Sequence, residues 1–373
     1  MIITCPQCQK KNHLPDSSPA GSQYVCGQCR ETLSVSRGAK VRRSKWLVVP
    51  LFAVNFLYVA LVLTLLISNA VGPENWWLGS LNLYLPQWLW AIPGVLLLPL
   101  TLALARKWVW LPLAALLCVL GPIMGFCWDH LLPGTAPRLA GTRLRVMTYN
   151  VKWDSRNEAA IRDDIRKYHP DVLQLQDSTG VMRGALGRDL AGWNVRISDQ
   201  YIIASRLPLP EIEWRDISFP GSLRHCVRCT IPLGTRSVTI YNVHLLSPRT
   251  GLVSVRHRVV GGLVWNADSR LLESNTLADY LRREPGPTLL TGDLNAPMQS
   301  LVCRHLCEAG LRDAFSEAGT GYGYSYGSYT RVGRPYVRID HIMASRQWQV
   351  QHCWVGNSLG SDHCPVIADL VLP

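Results

Sequence analysis

The stretch LLTGDLNAP, residues 289–297, sets Asp293 and Asn295 two positions apart where an apolar run stops at a glycine. Comparable placements recur further along the chain. Asn150 falls at the end of LRVMTYNV, Asp177 closes DVLQLQD, His244 closes TIYNVH, Asp340 sits inside VRIDHI, and Asp362 with His363 precedes CPVIADLVL. Carboxylate and amide oxygens are hard donors suited to Mg2+ or Mn2+, and imidazole beside carboxylate suits proton transfer near neutral pH. Each residue alone also has a plain structural reading. Gly, Asp, Asn and Pro make turns, Asn150 can cap a strand, and His244 can be a buried imidazole with its hydrogen bonds satisfied. Asp340 is harder to dismiss, because an unpartnered carboxylate inside an apolar strand costs several kcal/mol. His363 is its natural companion, whereas His341 points to the opposite face of the same strand.

These residues can meet only if the runs carrying them are strands whose ends share one edge. Short β-branched runs, QYIIAS among them, fit that requirement. EAAIRDDIRKY and SRLLESNTLADYLRRE have helical periodicity instead, with Leu271, Leu272, Thr276, Leu277 and Leu281 assigned to one face. Strands mixed with helices and joined partly by hairpins favour a mixed-sheet α/β sandwich over a doubly wound sheet. Residues 143–373 are of ordinary size for one such domain, whose loops could bring the polar strand ends to one cleft.

The 373 residues are 48 % hydrophobic and include 14 Trp, and the apolar ones crowd into 46–128. Residues 46–68 as a helix span about 35 Å, enough for a bilayer core, and 85–105 and 108–128 are two further candidate transmembrane helices. Pro93 and Pro99 are tolerated in lipid, where neighbouring helices satisfy the freed carbonyls. Trp76, Trp77, Trp88, Trp90, Trp108, Trp110 and Trp128 sit near the proposed ends, as interfacial belts require. A basic linker at 37–45, with Arg37, Lys40, Arg42, Arg43 and Lys45, precedes the first span, Arg106 and Lys107 separate the last two, and 69–84 has neither Lys nor Arg. This asymmetry places the N-terminus in the cytoplasm and everything beyond a 129–142 linker outside it. The hydrophilic first 45 residues argue against a signal peptide.

Residues 1–36 carry CPQC at 5–8 and CGQC at 26–29. Cys5, Cys8, Cys26 and Cys29 can form a tetrahedron around Zn2+; the alternatives are two redox dithiols or a pair of disulfides, the latter disfavoured in a reducing cytoplasm. In so short a segment the metal must supply most of the folding energy, on the order of 10 kcal/mol. TCPQCQKKNHLP followed by VCGQC resembles the zinc ribbon at the start of some bacterial thioredoxins, which implies a structural zinc site and a bacterial inner membrane as the setting.

The motifs MTYNVKW, DVLQLQD, YNVHL, GDLNA, RIDHIMAS and SDHCPV, in that order over 144–372, make the C-terminal part resemble the endonuclease/exonuclease/phosphatase superfamily. The resemblance implies a four-layer α/β sandwich, with two mixed β-sheets face to face and helices outside, and metal-assisted hydrolysis of a phosphoester. It implies that Asp177, Asn150 and Asp362 surround Mg2+ or Mn2+, that Asp293 handles the attacking water, and that Asn295 helps hold the phosphate. His363, oriented by Asp340, would stabilise charge on the pentacovalent phosphorus, and His244 would contact the phosphate or assist the leaving group. Arg270, in SRLLES, is a candidate fork donor to the phosphate, with a solvated helix charge as its plainer reading. One residue departs from the family pattern: Glu usually follows Gln where this chain has Gln176 and Asp177, which shortens the reach toward an octahedral metal by about 1.5 Å.

Residues 139–373 hold 27 Lys plus Arg against 22 Asp plus Glu, a surplus of +5 within the chain's +12. A nucleic-acid partner favours a basic stripe with stacking aromatics; GYGYSYGSYTRVGRPY at 321–336 offers Tyr, Gly and Arg but also reads as a turn-rich loop. The candidate partners are therefore nucleic acid or a lipid-linked phosphate as substrate, with membrane lipids around the spans. The rival function is a catalytically silent membrane sensor that binds a phosphorylated ligand outside and signals through the zinc module. Among the cysteines of this domain, Cys226 and Cys229 face opposite sides of a strand, and Cys353 with Cys364, flanking a turn, is the better candidate disulfide.

Overall fold

The computed structural model describes residues 2–13, 22–34, 45–128, 140–152, 157–328, 334–357 and 360–373. Most of the 37–45 and 129–142 linkers, and residues 329–333 of the Tyr-rich loop, lie outside the described residues.

The N-terminal segment forms two hairpins, β1 (Ile2–Thr4) with β2 (Lys11–His13) and β3 (Gln23–Val25) with β4 (Thr32–Ser34). Both begin their turns with the same knuckle. Cys5 N–H donates to the Lys10 carbonyl and Gln9 N–H to the Cys5 carbonyl; Cys26 and Arg30 repeat this with Glu31 and Cys26. Gln9 and Arg30 close the knuckles at φ 62° and 63°. Cys5 Sγ thereby lies 3.5 Å from Cys29 Sγ, and Cys8 Sγ 3.6 Å from Cys26 Sγ. Sulfurs about 2.3 Å from a tetrahedral Zn2+ stand roughly 3.8 Å apart, so the cluster has the size of a zinc site. Backbone amides of Cys29 and Gln28 hold the Cys26 thiol down to about 6, toward the thiolate that a metal binds.

Next come α1 (Lys45–Val71), a connector carrying α2 (Trp77–Asn82), then α3 (Ala91–Leu104) and α4 (Trp110–Cys118). Three stretches are long and apolar enough to cross a bilayer: Leu47–Val71, Gln87–Leu104 and Arg106–Ile123. Leu57, Leu96 and Leu117 point outward at 69 %, 66 % and 59 % exposure, an apolar surface suited to lipid or a protein partner. Inside the bundle, Asn55 Nδ2 donates to the Leu51 carbonyl (2.8 Å) and across to Thr101 Oγ1 (3.0 Å), the type of bond that joins helices in lipid. The third span ends at Ile123 rather than 128. Pro122 has no N–H for the α-helical ladder, so the chain widens into a π turn at Val119–Ile123, closed by Met124 N–H on the Val119 carbonyl (2.9 Å). Cys127–Trp128 then forms β5, paired with β15 (Thr320–Gly321).

Two six-stranded mixed sheets build the remainder. One contains β6 (Thr142–Asn150), β7 (Val172–Gln176), β8 (Asn194–Ser198), β9 (Tyr201–Ser205), β17 (Gln349–Val355) and β18 (Val366–Leu372), in the order β17-β18-β6-β7-β9-β8. The other contains β10 (Ile212–Asp216), β11 (His225–Leu233), β12 (Arg236–His244), β13 (Thr288–Asp293), β14 (Leu311–Asp313) and β16 (Asp340–Ser345), in the order β10-β11-β12-β13-β16-β14. Strand periodicity divides neighbouring residues between layers. Val146, Ile203, Ile240, Leu289 and Ile342 face the space between the sheets, where α10 (Ala314–Ala318) also packs. Met147, Ile202 and Leu173 face α5 (Glu158–Tyr168) and α6 (Ala185–Asp189). Tyr241, Leu290 and Met343 face α8 (Val260–Arg282) and α9 (Leu301–Glu308), with α7 (Arg249–Arg256) against α8. The result is the expected four-layer sandwich, and coverage on both faces explains why its strands read as continuous apolar runs.

Some local expectations fail. Leu277 and Leu281 are buried but Leu272 is exposed, because five helical steps turn a side chain by about 140°. Cys353 and Cys364 are not joined by a disulfide; the β17–β18 register sets Cys353 opposite Ala368 instead. Cys226 and Cys229 do face different layers.

A buried ion cluster ties β14 to β16. Asp313 accepts from Arg338, from the Ser316 N–H (2.7 Å) and lies 3.1 Å from His341 Nδ1. Burial would raise this carboxyl, but Arg338 and His341 together hold it far below the usual carboxylate range. Its contribution is therefore present above about pH 4 and fades as acid protonates it below that. Asp313→Asn leaves Arg338 as a buried, uncompensated charge and should cost about 3–5 kcal/mol. A thermal midpoint of the solubilised full chain at pH 7 equal to wild type would contradict this account.

Candidate active site

β6 runs parallel to β7, and β12 to β13, so all four finish at one edge; β18 and β16 run antiparallel to β6 and β13 and start there. Polar residues at this edge come from both sheets. His244 and Asp340 stand on either side of Asp293 in the strand register. Gly292 makes that close approach feasible, since at φ 139° a Cβ would lie 1.9 Å from the Val243 carbonyl oxygen. Asp293 Oδ1 then accepts the Asn295 N–H (2.8 Å), Asn295 turns left-handed at φ 49°, and its Nδ2 donates to the Leu245 carbonyl (3.0 Å).

From the opposite sheet, Asn150 Nδ2 donates to Asp293 Oδ2 (3.0 Å). Beneath it a buried polar layer joins the sheets: Gln176 Nε2 donates to Thr148 Oγ1 (2.9 Å) and Asn242 Oδ1 (2.6 Å), and Asn242 Nδ2 to the Leu175 carbonyl (3.1 Å). Asp177 follows at φ 48°, a conformation Asp and Asn tolerate better than longer side chains. Asp362 binds Lys152 Nζ at 2.9 Å. His363 has Nδ1 2.9 Å from Asp340 Oδ2 and Nε2 3.8 Å from Asp293 Oδ2. His244 has Nδ1 2.6 Å from Gln200 Oε1 and Nε2 3.6 Å from Asp293 Oδ2. Ser325 Oγ donates to Asp340 Oδ2 (2.6 Å) and accepts the Asp340 N–H (3.1 Å).

Asn150, Asp177, His244, Asp293, Asn295, Asp362 and His363 therefore line one cleft of about 150 Å³, with Asp340 buried behind His363. Arg270 does not join them. It is buried, donates from Nη1 to the Leu246 carbonyl (3.1 Å) and Asn266 Oδ1 (2.7 Å), and stacks over the Tyr84 ring at 5.5 Å. The cations at the cleft are Lys152 and Arg249, which sequence reasoning missed because neither carries a local signal beyond charge. Gln200, Ser325 and Tyr326, whose ring lies 4.4 Å from His363, were missed likewise; the Tyr-rich loop was the one hint. His341 is structural, between Asp313 and the Ala296 carbonyl at 3.0 Å.

The two imidazoles are driven apart. Burial pulls His363 down, but Asp340 and Asp293 outweigh it and push it up to about 9. Burial, then Arg224 and His363, pull His244 down to about 3, and neutral Gln200 supplies no compensating charge. Burial and the neighbouring Asp340 push Asp293 up to about 7 against the pull of His363. The cleft thus favours an imidazolium at His363, a neutral imidazole at His244 and a carboxyl at Asp293 raised above its ordinary range.

A divalent ion fits the other side of the cleft on donor chemistry. Asn150, Asp177 and Asp362 offer hard oxygens, and burial, with the Asp362 charge, raises Asp177 against the pull of His363 and Lys152. Asp293, Asp340 and His363 also come within 4.8 Å of one another, but Asp340 Oδ2 is already engaged by Ser325 and His363.

The profile described as "Endonuclease/Exonuclease/phosphatase family" matches residues 147–363. The fold is shared with an endonuclease/exonuclease/phosphatase from Bacteroides vulgatus, 16 % identical, TM-score 0.51, covering 62 % of this chain and 100 % of that one. A family protein from Bacteroides thetaiotaomicron is 14 % identical, TM-score 0.50, over 63 % and 100 % of the two chains. TDP2 from Caenorhabditis elegans is 17 % identical, TM-score 0.48, over 61 % and 74 %. No curated protein sequence matches the chain.

Because the His363 value is raised, its pairing stabilises the fold fully below about pH 6.5 and ceases to do so as pH rises through about 9. The destabilisation caused by Asp340→Asn should accordingly be largest near pH 6 and shrink by pH 10. Thermal midpoints that differ equally across that range would show that Asp340 does not hold the proton on His363.

Proposed function

The chain belongs to the endonuclease/exonuclease/phosphatase family, and on that premise we propose that it is a membrane-anchored, divalent-metal-dependent phosphoester hydrolase driving water in line onto phosphorus. The carrying observation is Asp293, a buried carboxyl pushed up to about 7 between two imidazoles in opposite protonation states. A general base works best with a pKa near the operating pH, and a catalytically silent sensor would have no use for this arrangement.

Asp293 Oδ2 and His244 Nε2 lie 3.6 Å apart. With the His244 Nδ1–H donated to Gln200 Oε1, both are acceptors, able to take the two hydrogens of one water and leave its lone pair directed at phosphorus. Asp293 receives the proton as the water oxygen bonds to phosphorus and the opposite P–O bond breaks, its oxygen leaving with the bonding pair and taking a proton from solvent. His363, kept cationic by Asp340, directs Nε2–H toward the oxygens that gain charge. Lys152, Arg249 and the Asn295 amide grip the phosphate before attack. Mg2+ or Mn2+, held by Asn150, Asp177 and Asp362, supplies Lewis-acid neutralisation of a phosphoryl oxygen. Both nucleic acid and a lipid-linked phosphate present the required phosphoester.

We read residues 1–36 as a cytoplasmic zinc ribbon, 46–128 as three spans and 143–373 as a catalytic domain outside the cytoplasm, in a bacterial inner membrane with lipids around the spans. Basic residues at the N-terminal end support this orientation. Hydrogen bonds from the catalytic domain to the 69–84 connector and to the end of the third span support the count of three crossings, which puts those regions on the same side in either orientation.

Purified full-length protein should hydrolyse bis-p-nitrophenyl phosphate, DNA or a lipid pyrophosphate with Mg2+ or Mn2+ and stop on adding EDTA. Asp293→Ala should lower kcat by about 10²–10⁴-fold; turnover that survives either treatment would refute the mechanism. A reporter fused after Pro373 should register outside the cytoplasm, and a cytoplasmic signal would refute three spans.

A further inference from the structure

We infer that the apolar bundle is part of the catalytic apparatus, with Tyr84 of its connector and Tyr322, which bonds its third helix, as positioning residues that seat the two reacting-group loops. This rests on the roles given above to Asp293 and His363.

Two separate loops carry or support those groups. The first runs from Asp293 to α9. Its Asn295 carbonyl accepts the Tyr84 hydroxyl at 2.9 Å, and Tyr84, 2 % exposed, comes from the connector between the first two spans. Burial raises the Tyr84 hydroxyl well above its ordinary value, so it stays a donor. Further along, Glu74 accepts from Ser300 Oγ and from the Leu301 N–H (3.0 Å) at the start of α9, and Gln299 Nε2 reaches the Ile123 carbonyl (3.2 Å). The connector therefore grips this loop near both ends.

The second loop leads from β15 to Tyr326. Tyr322 Oη donates to the Leu120 carbonyl (3.2 Å) inside the π turn of the third span, and its ring packs edge-on against Phe126 at 5.1 Å. Three residues later Ser325 hydrogen-bonds Asp340, and Tyr326 lies against His363. The Asp293 loop is thus held chiefly by the connector, with one further bond from Gln299 to the end of the third apolar stretch, and the loop behind His363 is held by that third stretch, so the 3.8 Å between His363 Nε2 and Asp293 Oδ2 depends on how those elements sit together. Displacement of reacting groups by about 1 Å can cost up to 10²-fold in rate.

The test uses full-length protein in lipid nanodiscs. Tyr84→Phe and Tyr322→Phe each delete one hydroxyl and keep the ring. Tyr280→Phe is the control, because it removes a comparable hydroxyl-to-carbonyl bond, to Asp216 at 2.9 Å, remote from both loops. The first two should lower kcat about 5- to 20-fold with KM within twofold, and amide exchange should accelerate in 294–300 for Tyr84→Phe and in 320–327 for Tyr322→Phe. The control should match wild type. Wild-type kcat together with unchanged exchange in both loops overturns the inference, as does an equal loss in Tyr280→Phe. If wild-type protein turned over no phosphoester, the hydrolase reading would fail on its own, and the exchange data alone would decide whether the bundle seats the loops.

Discussion

The two sheets stop being an oily sandwich at Asp293. Over most of their contact the inner faces meet through Val146, Ile203, Ile240 and Leu289, which need no particular partner. At one edge that filling gives way to groups that must satisfy one another. Asn150 of one sheet donates to Asp293 of the other, and the Gln176–Thr148–Asn242 bonds below fix the register between them. Burying polar groups in this way is costly unless they satisfy one another, and most of these do, although Gln176 Oε1 and Asp340 Oδ1 have no hydrogen-bond partner among the described residues. The partners also set the proton affinities: a carboxylate behind His363 raises it, whereas His244, backed by an amide, is lowered by burial.

Much of this was legible in the sequence because the signals were local. Polar residues interrupting apolar runs marked Asn150, Asp177, His244, Asp293 and Asp362 as strand ends, and parallel and antiparallel pairing then brought those ends to one edge. The cost of burying Asp340 pointed to a partner, and His363 is that partner. What failed depended on rotation or on distant pairing. Arg270 was read as a phosphate ligand, but the turn of α8 directs it at the Leu246 carbonyl and the Tyr84 ring. The apolar run to 128 hid the end of the third span, which is set by Pro122 and by pairing with residues 320–321. Nothing local distinguished Lys152 and Arg249 from the many other cations of the chain. Asp177 sits where the backbone is left-handed, a conformation that its sequence neighbours do not announce.

The N-terminal hairpins obey a different economy. Their buried side chains, beyond the cysteines, come down to Leu33, far too little apolar surface to order two hairpins. Two knuckles of identical hydrogen-bond pattern bring four thiols within range of one ion, and a metal bound there would take the place of a core. The sandwich, with a full core, has no such need for its folding.

Glu74 and Tyr84 meet the sandwich directly, and this has a mechanical consequence. A catalytic unit joined to its anchor by a loose tether samples a wide volume, diluted by the length of the tether. With its apolar helices set in a bilayer, a unit seated on them through a residue that lines the cleft would instead keep a constant altitude and tilt. Its search for substrate would then be lateral, a sweep over the membrane plane at one height, and molecules confined to that plane would meet it far more often than those dispersed in the bulk.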